Sequence, residues 1–148
     1  MQPKLVAFDL DDTLAPSRGP ISDDMASRLT TLLNYVDVAI ITGGSQKQLF
    51  KQVVDRLPVI ANTDRLHLMP TCGTRYVQIF DNQPVIRYTQ NMSPQDIELA
   101  TRELELAAKF YGYWADTPWG AVIENRGSQV TYSAYGQDAP IEVKREWD

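Results

Sequence analysis

The sequence feature that most constrains the fold is an apolar run that ends in three carboxylates. Residues Lys4–Phe8 predict a buried β-strand, which leads directly into Asp9-Leu10-Asp11-Asp12-Thr13-Leu14. In an extended segment alternate side chains share a face, so Asp9 and Asp11 point together while Leu10 points away. Because carboxylates beside a core are costly to desolvate, a metal ion and a phosphoryl group are the partners that this arrangement suits.

Composition excludes several classes of function. The chain has 148 residues, 43% of them apolar, which is enough for one compact domain or slightly more. Fourteen basic against 19 acidic residues give a net charge of −5, so we expect no nucleic-acid partner. No apolar stretch or secretory pattern predicts a membrane segment or export. Cys72 is the single cysteine, which favours a reducing cytoplasm and predicts a small core residue.

The first part of the chain alternates between strands and helices. Ser22 caps a predicted helix that runs to about Asn34, and Val36–Thr42 forms the next strand. A strand, a helix and a strand in this order imply a parallel pair with a right-handed crossover. A second helix from Ser45 to Leu57 and a short strand at Leu66–Met69 follow.

The pattern then changes to antiparallel hairpins around one long helix. The predicted elements are a hairpin of Thr74–Phe80 with Val85–Tyr88, a helix capped by Ser93 and ended by Gly112, and a hairpin of Ala121–Glu124 with Gln129–Tyr135. We therefore expect two domains: an α/β core at residues 1–89 and an α+β domain at residues 90–148.

A second chemical signal follows the second predicted strand. Thr42-Gly43-Gly44 places a hydroxyl and backbone amides at the carboxyl end of a parallel strand, where anions bind in open α/β sheets. Since Asp9 ends the neighbouring strand, the two loops are expected to face one site. The turn-rich segment 15–20 is long enough to form a flap over that site.

The segment Phe8-Asp9-Leu10-Asp11-Asp12-Thr13-Leu14 resembles the nucleophile motif of the haloacid dehalogenase superfamily. The resemblance implies a Rossmann-like α/β core and phosphoryl transfer through an aspartyl-phosphate. Asp9 would be the nucleophile and Asp11 the general acid and base, and both would bind Mg²⁺. Thr42, Gly43 and Gly44 would hold the phosphoryl oxygens of a small phosphate ester.

Further stretches resemble the superfamily branch that carries a type IIB (C2B) cap, an α+β domain. They are Ile41–Ser45, Pro70–Gly73, Gly120–Arg126 and Tyr135-Gly136. This branch includes eukaryotic-type phosphomannomutases and sugar-phosphate phosphatases. The resemblance therefore implies that residues 90–148 form part of such a cap.

The cap residues distinguish two enzyme types within that branch. Trp119 and Gln137 stand where phosphomannomutases present arginines to the second sugar phosphate, while Arg126 matches a further family arginine. Loss of two anion-binding residues favours a phosphatase, with a phosphosugar mutase as the alternative. For Arg126 we leave open a substrate contact and a solvated surface charge.

The family also uses a lysine and a late acidic loop that follow the cap, and no Gly-Asp-x-x-x-Asp pattern occurs here. We therefore expect an N-terminal fragment of a longer enzyme, with weak Mg²⁺ binding and negligible turnover on its own. A partial sheet would expose strand edges, which favours pairing into a homo-oligomer.

Two other classes of function remain as alternatives. A signalling receiver domain also gathers acids at strand ends, but its acceptor aspartate follows a later strand, and none follows Leu66–Met69 here. A non-catalytic binding module would use the aromatic residues Tyr111, Tyr113, Trp114 and Trp119. His67, the lone histidine, is expected to be a partly buried strand residue without partners for a metal site.

Overall fold

The computed structural model describes residues 3–145 and divides the chain into two compact units, Met1–Gln90 and Asn91–Asp148. The first unit is a sheet with helices, and the second is a long helix with a short hairpin. Within residues 3–145, none of the helices combines the length and the apolar character needed to cross a bilayer.

The first unit contains five strands and two α-helices. They are β1 (Leu5–Asp9), α1 (Asp23–Leu32), β2 (Asp37–Ile41), α2 (Gln46–Gln52), β3 (Leu66–Met69), β4 (Arg75–Phe80) and β5 (Gln83–Thr89). Three short 3₁₀ helices lie at Val54–Arg56, Thr63–Arg65 and Thr71–Gly73. The strand order is β1-β2-β3-β4-β5, with β1, β2 and β3 parallel and β4 and β5 antiparallel. The predicted α/β class, the parallel crossover and the first hairpin are confirmed.

Both helices of this unit begin at the predicted serine caps. Ser22 Oγ accepts a hydrogen bond from the Met25 amide and Ser45 Oγ from the Gln48 amide, at 3.1 and 3.3 Å. α2 ends at Gln52 rather than near Leu57, so the predicted end was wrong. The chain tightens into a 3₁₀ turn after Val53, and Leu57 is extended because Pro58 disfavours a helical residue before it.

One face of the sheet carries the hydrophobic core of the first unit. Register places Val38 beside Leu66, and Ile40 beside Leu68, so these side chains form adjacent rows. The buried cluster combines them with Leu29 and Leu33 of the first helix region, Leu49 and Val53 around α2, and Val77 and Ile79 of β4. Burial of these rows against the helices fixes the strand register.

The opposite face of the same sheet is more open. Leu5, Ile41 and Phe80 lie on strands but remain 49%, 38% and 58% exposed. Among the described residues β1 pairs with β2 alone, so it forms one edge of the sheet. His67 lies in β3 with its side chain 15% exposed, as predicted, and its Nδ1 is 2.6 Å from the hydroxyl of Tyr76.

The second unit consists of α3 (Pro94–Phe110), β6 (Ile123–Asn125), β7 (Val130–Tyr132) and α4 (Ile141–Arg145). Ser93 caps α3 by accepting a hydrogen bond from the Asp96 amide at 3.1 Å, which confirms the predicted start of this helix. β6 and β7 form an antiparallel hairpin in which Ile123 pairs with Tyr132. The hairpin strands are shorter than the sequence predicts.

Candidate active site

The carboxyl ends of β1 and β2 bring the two predicted loops together. Asp9, the last residue of β1, pairs with Ile41, and Thr42 follows directly. The hydroxyl of Thr42 lies 3.5 Å from Asp11 Oδ2. The prediction that the acidic loop and the Thr42 loop share one edge of the sheet is therefore confirmed.

The acidic loop is a tight turn anchored by Leu10. Leu10 is completely buried, and its carbonyl accepts hydrogen bonds from the amides of Leu14 and Ala15 at 2.9 and 3.1 Å. Thr13 Oγ1 donates to Asp9 Oδ2 at 3.1 Å, which holds one carboxylate oxygen. The turn thus buries Leu10 and leaves the Asp9 side chain at the sheet edge.

The segment 15–20, here called the flap, folds back onto the acidic loop. The Arg18 amide donates to Asp11 Oδ1 at 2.8 Å, and the Ser17 amide donates to Asp12 Oδ1 at 3.1 Å. Sequence analysis predicted a flap but missed these two amide contacts. The turn-forming composition around Pro16 and Gly19 was the only available signal, because backbone donors leave no trace in residue type.

Thr42 is 3% exposed, and its hydroxyl is already engaged within its own turn. The Gly44 amide donates to Thr42 Oγ1 at 3.0 Å, and the Thr42 amide donates to the Met69 carbonyl at 3.1 Å. Because the Thr42 oxygen accepts the bond from Gly44, its proton is available to donate to Asp11 or to a ligand. Gly44 therefore orients Thr42 in this structure rather than presenting its own amide to an anion.

A strained loop after β3 supports the Thr42 turn. The Thr71 amide donates to the Gly44 carbonyl and the Cys72 amide to the Thr42 carbonyl, both at 2.9 Å. Thr71 and Cys72 have φ values of +51° and +56°, a left-handed conformation that costs a non-glycine residue about 1–2 kcal/mol. Such strain persists where surrounding structure holds it, often at functional sites. Sequence analysis missed this role.

The expectation that Cys72 is a small core residue was wrong. Cys72 is exposed, because the left-handed turn carries it off the sheet. A Cβ placed on Gly43 would lie 3.7 Å from the Cys72 sulfur, so the thiol borders the Thr42 turn.

The side chains of Asp9 and Asp11 lie at the carboxyl ends of β1 and β2. The Thr13 hydroxyl donates to Asp9, and the Arg18 amide and the Thr42 hydroxyl donate to Asp11. Carboxylate oxygens are the hard ligands that Mg²⁺ prefers. No group of three or more His, Cys, Asp or Glu side chains within residues 3–145 is arranged to hold a metal ion. Asp9 and Asp11 thus have the right chemistry for Mg²⁺ but supply only part of its octahedral shell.

In the second unit, Arg126 belongs to a polar cluster of its own. Its side chain is only 9% exposed, and both its Nε and its Nη2 lie 2.7 Å from Glu124 Oε2. Its Nη2 also lies 3.4 Å from Gln137 Oε1. The alternative of a solvated surface charge is therefore wrong, because the guanidinium is buried in an ion pair.

Comparisons with known proteins identify the fold. Neither a protein-family model nor a curated protein matches this sequence. Among solved structures, the chain is similar to a haloacid dehalogenase-like hydrolase from B. subtilis, with a TM-score of 0.53 and 17% identity over 71% of this chain and 34% of that one. The chain has the haloacid dehalogenase fold. The resemblance seen in residues 8–14 is confirmed at the level of fold.

Structures of Plasmodium falciparum IMP-nucleotidase are also similar to this haloacid dehalogenase core. The ATP-bound structure has a TM-score of 0.64 at 18% identity, and the match covers 86% of this chain and 34% of that one. An IMP-bound mutant has a TM-score of 0.59 at 18% identity, over 97% of this chain and 43% of that one. The present chain therefore spans about a third to less than half of the length of these structures.

The haloacid dehalogenase core brings together five of the predicted site residues. Asp9, Asp11, Thr42, Gly43 and Gly44 lie in two loops at one edge of the sheet. Arg126 belongs to the second unit. The chemical roles of these residues remain predictions.

Proposed function

We propose that this chain carries the nucleophile loop and the phosphate-binding loop of a Mg²⁺-dependent phosphatase that acts on a small phosphate ester, in the cytoplasm. The observation that carries this proposal is the convergence of two carboxylates and a buried hydroxyl. Asp11 Oδ2 lies 3.5 Å from Thr42 Oγ1, and Asp9, the last residue of β1, pairs with Ile41, the residue before Thr42. The haloacid dehalogenase fold and the similarity to ATP-bound and IMP-bound structures of IMP-nucleotidase support it.

Asp9 is the proposed nucleophile. Thr13 Oγ1 holds its Oδ2, which leaves Oδ1 to attack phosphorus. The attack forms a bond between the carboxylate oxygen and phosphorus and breaks the bond between phosphorus and the ester oxygen. The product is an aspartyl-phosphate and a free alcohol.

Asp11 is the proposed proton donor and acceptor. It gives its proton to the leaving ester oxygen and afterwards takes a proton from the water that attacks the aspartyl-phosphate. This second step releases inorganic phosphate and restores Asp9. The Arg18 amide and the Thr42 hydroxyl, on opposite oxygens of Asp11, set the orientation of its carboxyl group.

Thr42 and the Gly43 amide are proposed to hold the non-bridging phosphoryl oxygens. Mg²⁺ would be held by the Asp9 carboxylate and the Asp11 carbonyl, and when bound it supplies positive charge to the phosphoryl group. The remaining ligands of an octahedral shell come from water and from outside the described residues.

The cap residues favour a phosphatase over a phosphosugar mutase. A mutase must bind a phosphate at each end of its substrate, whereas the guanidinium of Arg126 is already neutralised by Glu124 at 2.7 Å. Gln137, which stands where the mutases present an arginine, accepts from Arg126 in the same cluster. Neither residue therefore offers an uncompensated positive charge to a second phosphate.

The decisive experiment replaces the nucleophile in the full-length protein. Asp9→Asn keeps the shape of the side chain but removes the nucleophilic oxygen, so phosphate release from small phosphoesters should fall by about 10³-fold or more. Asp12→Asn is the matched control, because Asp12 binds the Ser17 amide and an asparagine Oδ1 accepts the same bond. The control should keep activity within about threefold.

A fluoride complex of aluminium or beryllium provides a second readout. The wild type with Mg²⁺ should form a stable complex that mimics phospho-Asp9, and Asp9→Asn should not. Phosphate release by Asp9→Asn at the wild-type rate would refute the proposed function.

A further inference from the structure

One buried glutamine ties the flap to the end of α2. Gln52 is 3% exposed, and its Nε2 donates to the Gly19 carbonyl at 2.7 Å. The backbone carbonyl of Gln52 also accepts from the Ile21 amide at 2.9 Å. A single residue of the helix therefore holds Gly19 of the flap through its side chain, and Ile21, just after the flap, through its backbone.

The flap in turn holds Asp11. The Arg18 amide donates to Asp11 Oδ1 at 2.8 Å, and Arg18 precedes the residue that Gln52 holds. Arg18 has a φ of +58°, which is unfavourable for an arginine and persists only where neighbouring contacts hold it. The contacts on both sides of Arg18, at Asp11 and at Gly19, supply that constraint.

The Gln52 amide has a hydrogen bond on one side only. Its Oε1 is buried and has no hydrogen-bond partner among the described residues. Rotating the Gln52 amide by 180° would place Oε1 against the Gly19 carbonyl, and two acceptor oxygens repel each other. The hydrogen bond from Nε2 to Gly19 therefore fixes the orientation of the amide. A buried acceptor without a partner is costly, and an apolar side chain of the same shape would avoid that cost. The donor to Gly19 is therefore the feature of Gln52 that serves the site.

We infer that Gln52 is a positioning residue for proton transfer by Asp11, acting through the flap. This inference rests on the phosphatase function proposed above. Gln52 hydrogen-bonds the flap, and its effect on Asp11 is inferred to pass through the Arg18 amide. Because a displacement of about 1 Å in a catalytic group costs up to about 100-fold in rate, loss of this link should lower kcat. Loss of this link leaves the Thr42 turn in place, and because that turn is proposed to bind the phosphoryl group, KM should stay unchanged.

The test is Gln52→Met in the full-length protein. Methionine has nearly the same length and shape but no donor, and it removes the unpartnered oxygen. We expect kcat to fall by about tenfold or more, KM to stay within about twofold, and the melting temperature to stay the same or rise.

Gln78→Met is the matched control. Gln78 Nε2 donates to the Asp64 carbonyl at 3.2 Å in the same unit, and its Oε1 accepts from Arg87. This variant therefore loses the same kind of donor, together with the Arg87 contact, away from the flap. Its kcat should equal that of the wild type. Hydrogen exchange of the Arg18 amide should accelerate in Gln52→Met and remain unchanged in Gln78→Met.

The outcomes separate this inference from the proposed function. If Asp9→Asn is inactive while Gln52→Met keeps the wild-type kcat, the inference about Gln52 is overturned and the phosphatase survives. A loss of kcat in Gln52→Met that comes with a lower melting temperature and a proportional change in KM shows a general structural role, which also overturns it. If Asp9→Asn keeps full activity, both proposals fall.

Discussion

In the first unit, side chains from the sheet, α1 and α2 pack into one buried apolar cluster, whereas the buried apolar side chains described in the second unit are Ala108, Val122 and Ala139. The second unit also exposes Phe110 and Tyr111, which are 82% and 69% accessible. Hydrophobic burial scales with the apolar area removed from water, so it dominates the stability of the first unit. The second unit also contains a helix cap at Ser93 and an ion pair between Arg126 and Glu124.

The first unit provides the more rigid support for a site that needs precise geometry. Asp9 ends a strand whose neighbour β2 is held by the core, and Leu10 anchors the loop that carries Asp11 within that core. Such loops on a rigid scaffold hold reacting groups in place. The second unit offers polar clusters instead, which are neutralised internally, as in Arg126 with Glu124.

The largest expected effect comes from Leu10→Ala. Leu10 is fully buried, so its truncation should destabilise the first unit by about 3–5 kcal/mol. Leu106→Ala is the control in the second unit, where the side chain is 56% exposed and the cost should stay below about 0.5 kcal/mol. Residue-resolved hydrogen exchange in urea measures each unit separately. An equal loss of unfolding free energy in the two variants would contradict the difference in hydrophobic burial between the units.

The second effect tests whether turn geometry supports the second unit. Gly136 has a φ of +92°, and an added Cβ would lie 2.2 Å from the Trp119 carbonyl oxygen, so Gly136→Ala should cost at least about 2 kcal/mol. Gly112 has a φ of +75° with nothing within 4 Å of an added Cβ. Gly112→Ala should therefore cost only about 1 kcal/mol, from the backbone alone. Comparable losses in urea unfolding would contradict the close approach at Gly136.

The smallest effect concerns the ion pair of the second unit. Arg126→Met leaves Glu124 without its partner and should destabilise the unit by about 1–2 kcal/mol, and adding Glu124→Leu should restore most of that loss. If the proposed phosphatase function holds and Arg126 is structural, KM should be unchanged in both variants of the full-length protein. A rise in KM for Arg126→Met with a fall for Glu124→Gln would instead assign Arg126 to substrate binding.

Much of the candidate site was predictable because its signals are local. The strand before Asp9, the alternation of Asp9, Leu10 and Asp11, and the glycines after Thr42 each reflect short-range geometry, and register then brings them to one edge. The serine caps were predictable for the same reason, since a cap needs only the first turn of its helix.

The incorrect or missed features depend on contacts between distant segments. Cys72 was expected in the core, but the left-handed turn that exposes it is held by backbone bonds to the Thr42 turn. Gln52 was expected to lie inside a longer helix, and its contact with Gly19 spans 33 positions. A residue type gives no sign of either contact.

The amino-acid sequence is enough to predict that an apolar strand ends in paired acids and that a hydroxyl with two glycines follows the next strand, because strand periodicity and turn chemistry act over a few residues. Three other features become visible only in the folded chain. The Arg18 amide and the Thr42 hydroxyl meet at Asp11, Thr71 and Cys72 adopt left-handed backbone angles, and Arg126 is buried against Glu124. These features arise when packing brings backbone donors and charges from separate segments together, where the free energy of each group depends on its neighbours in space.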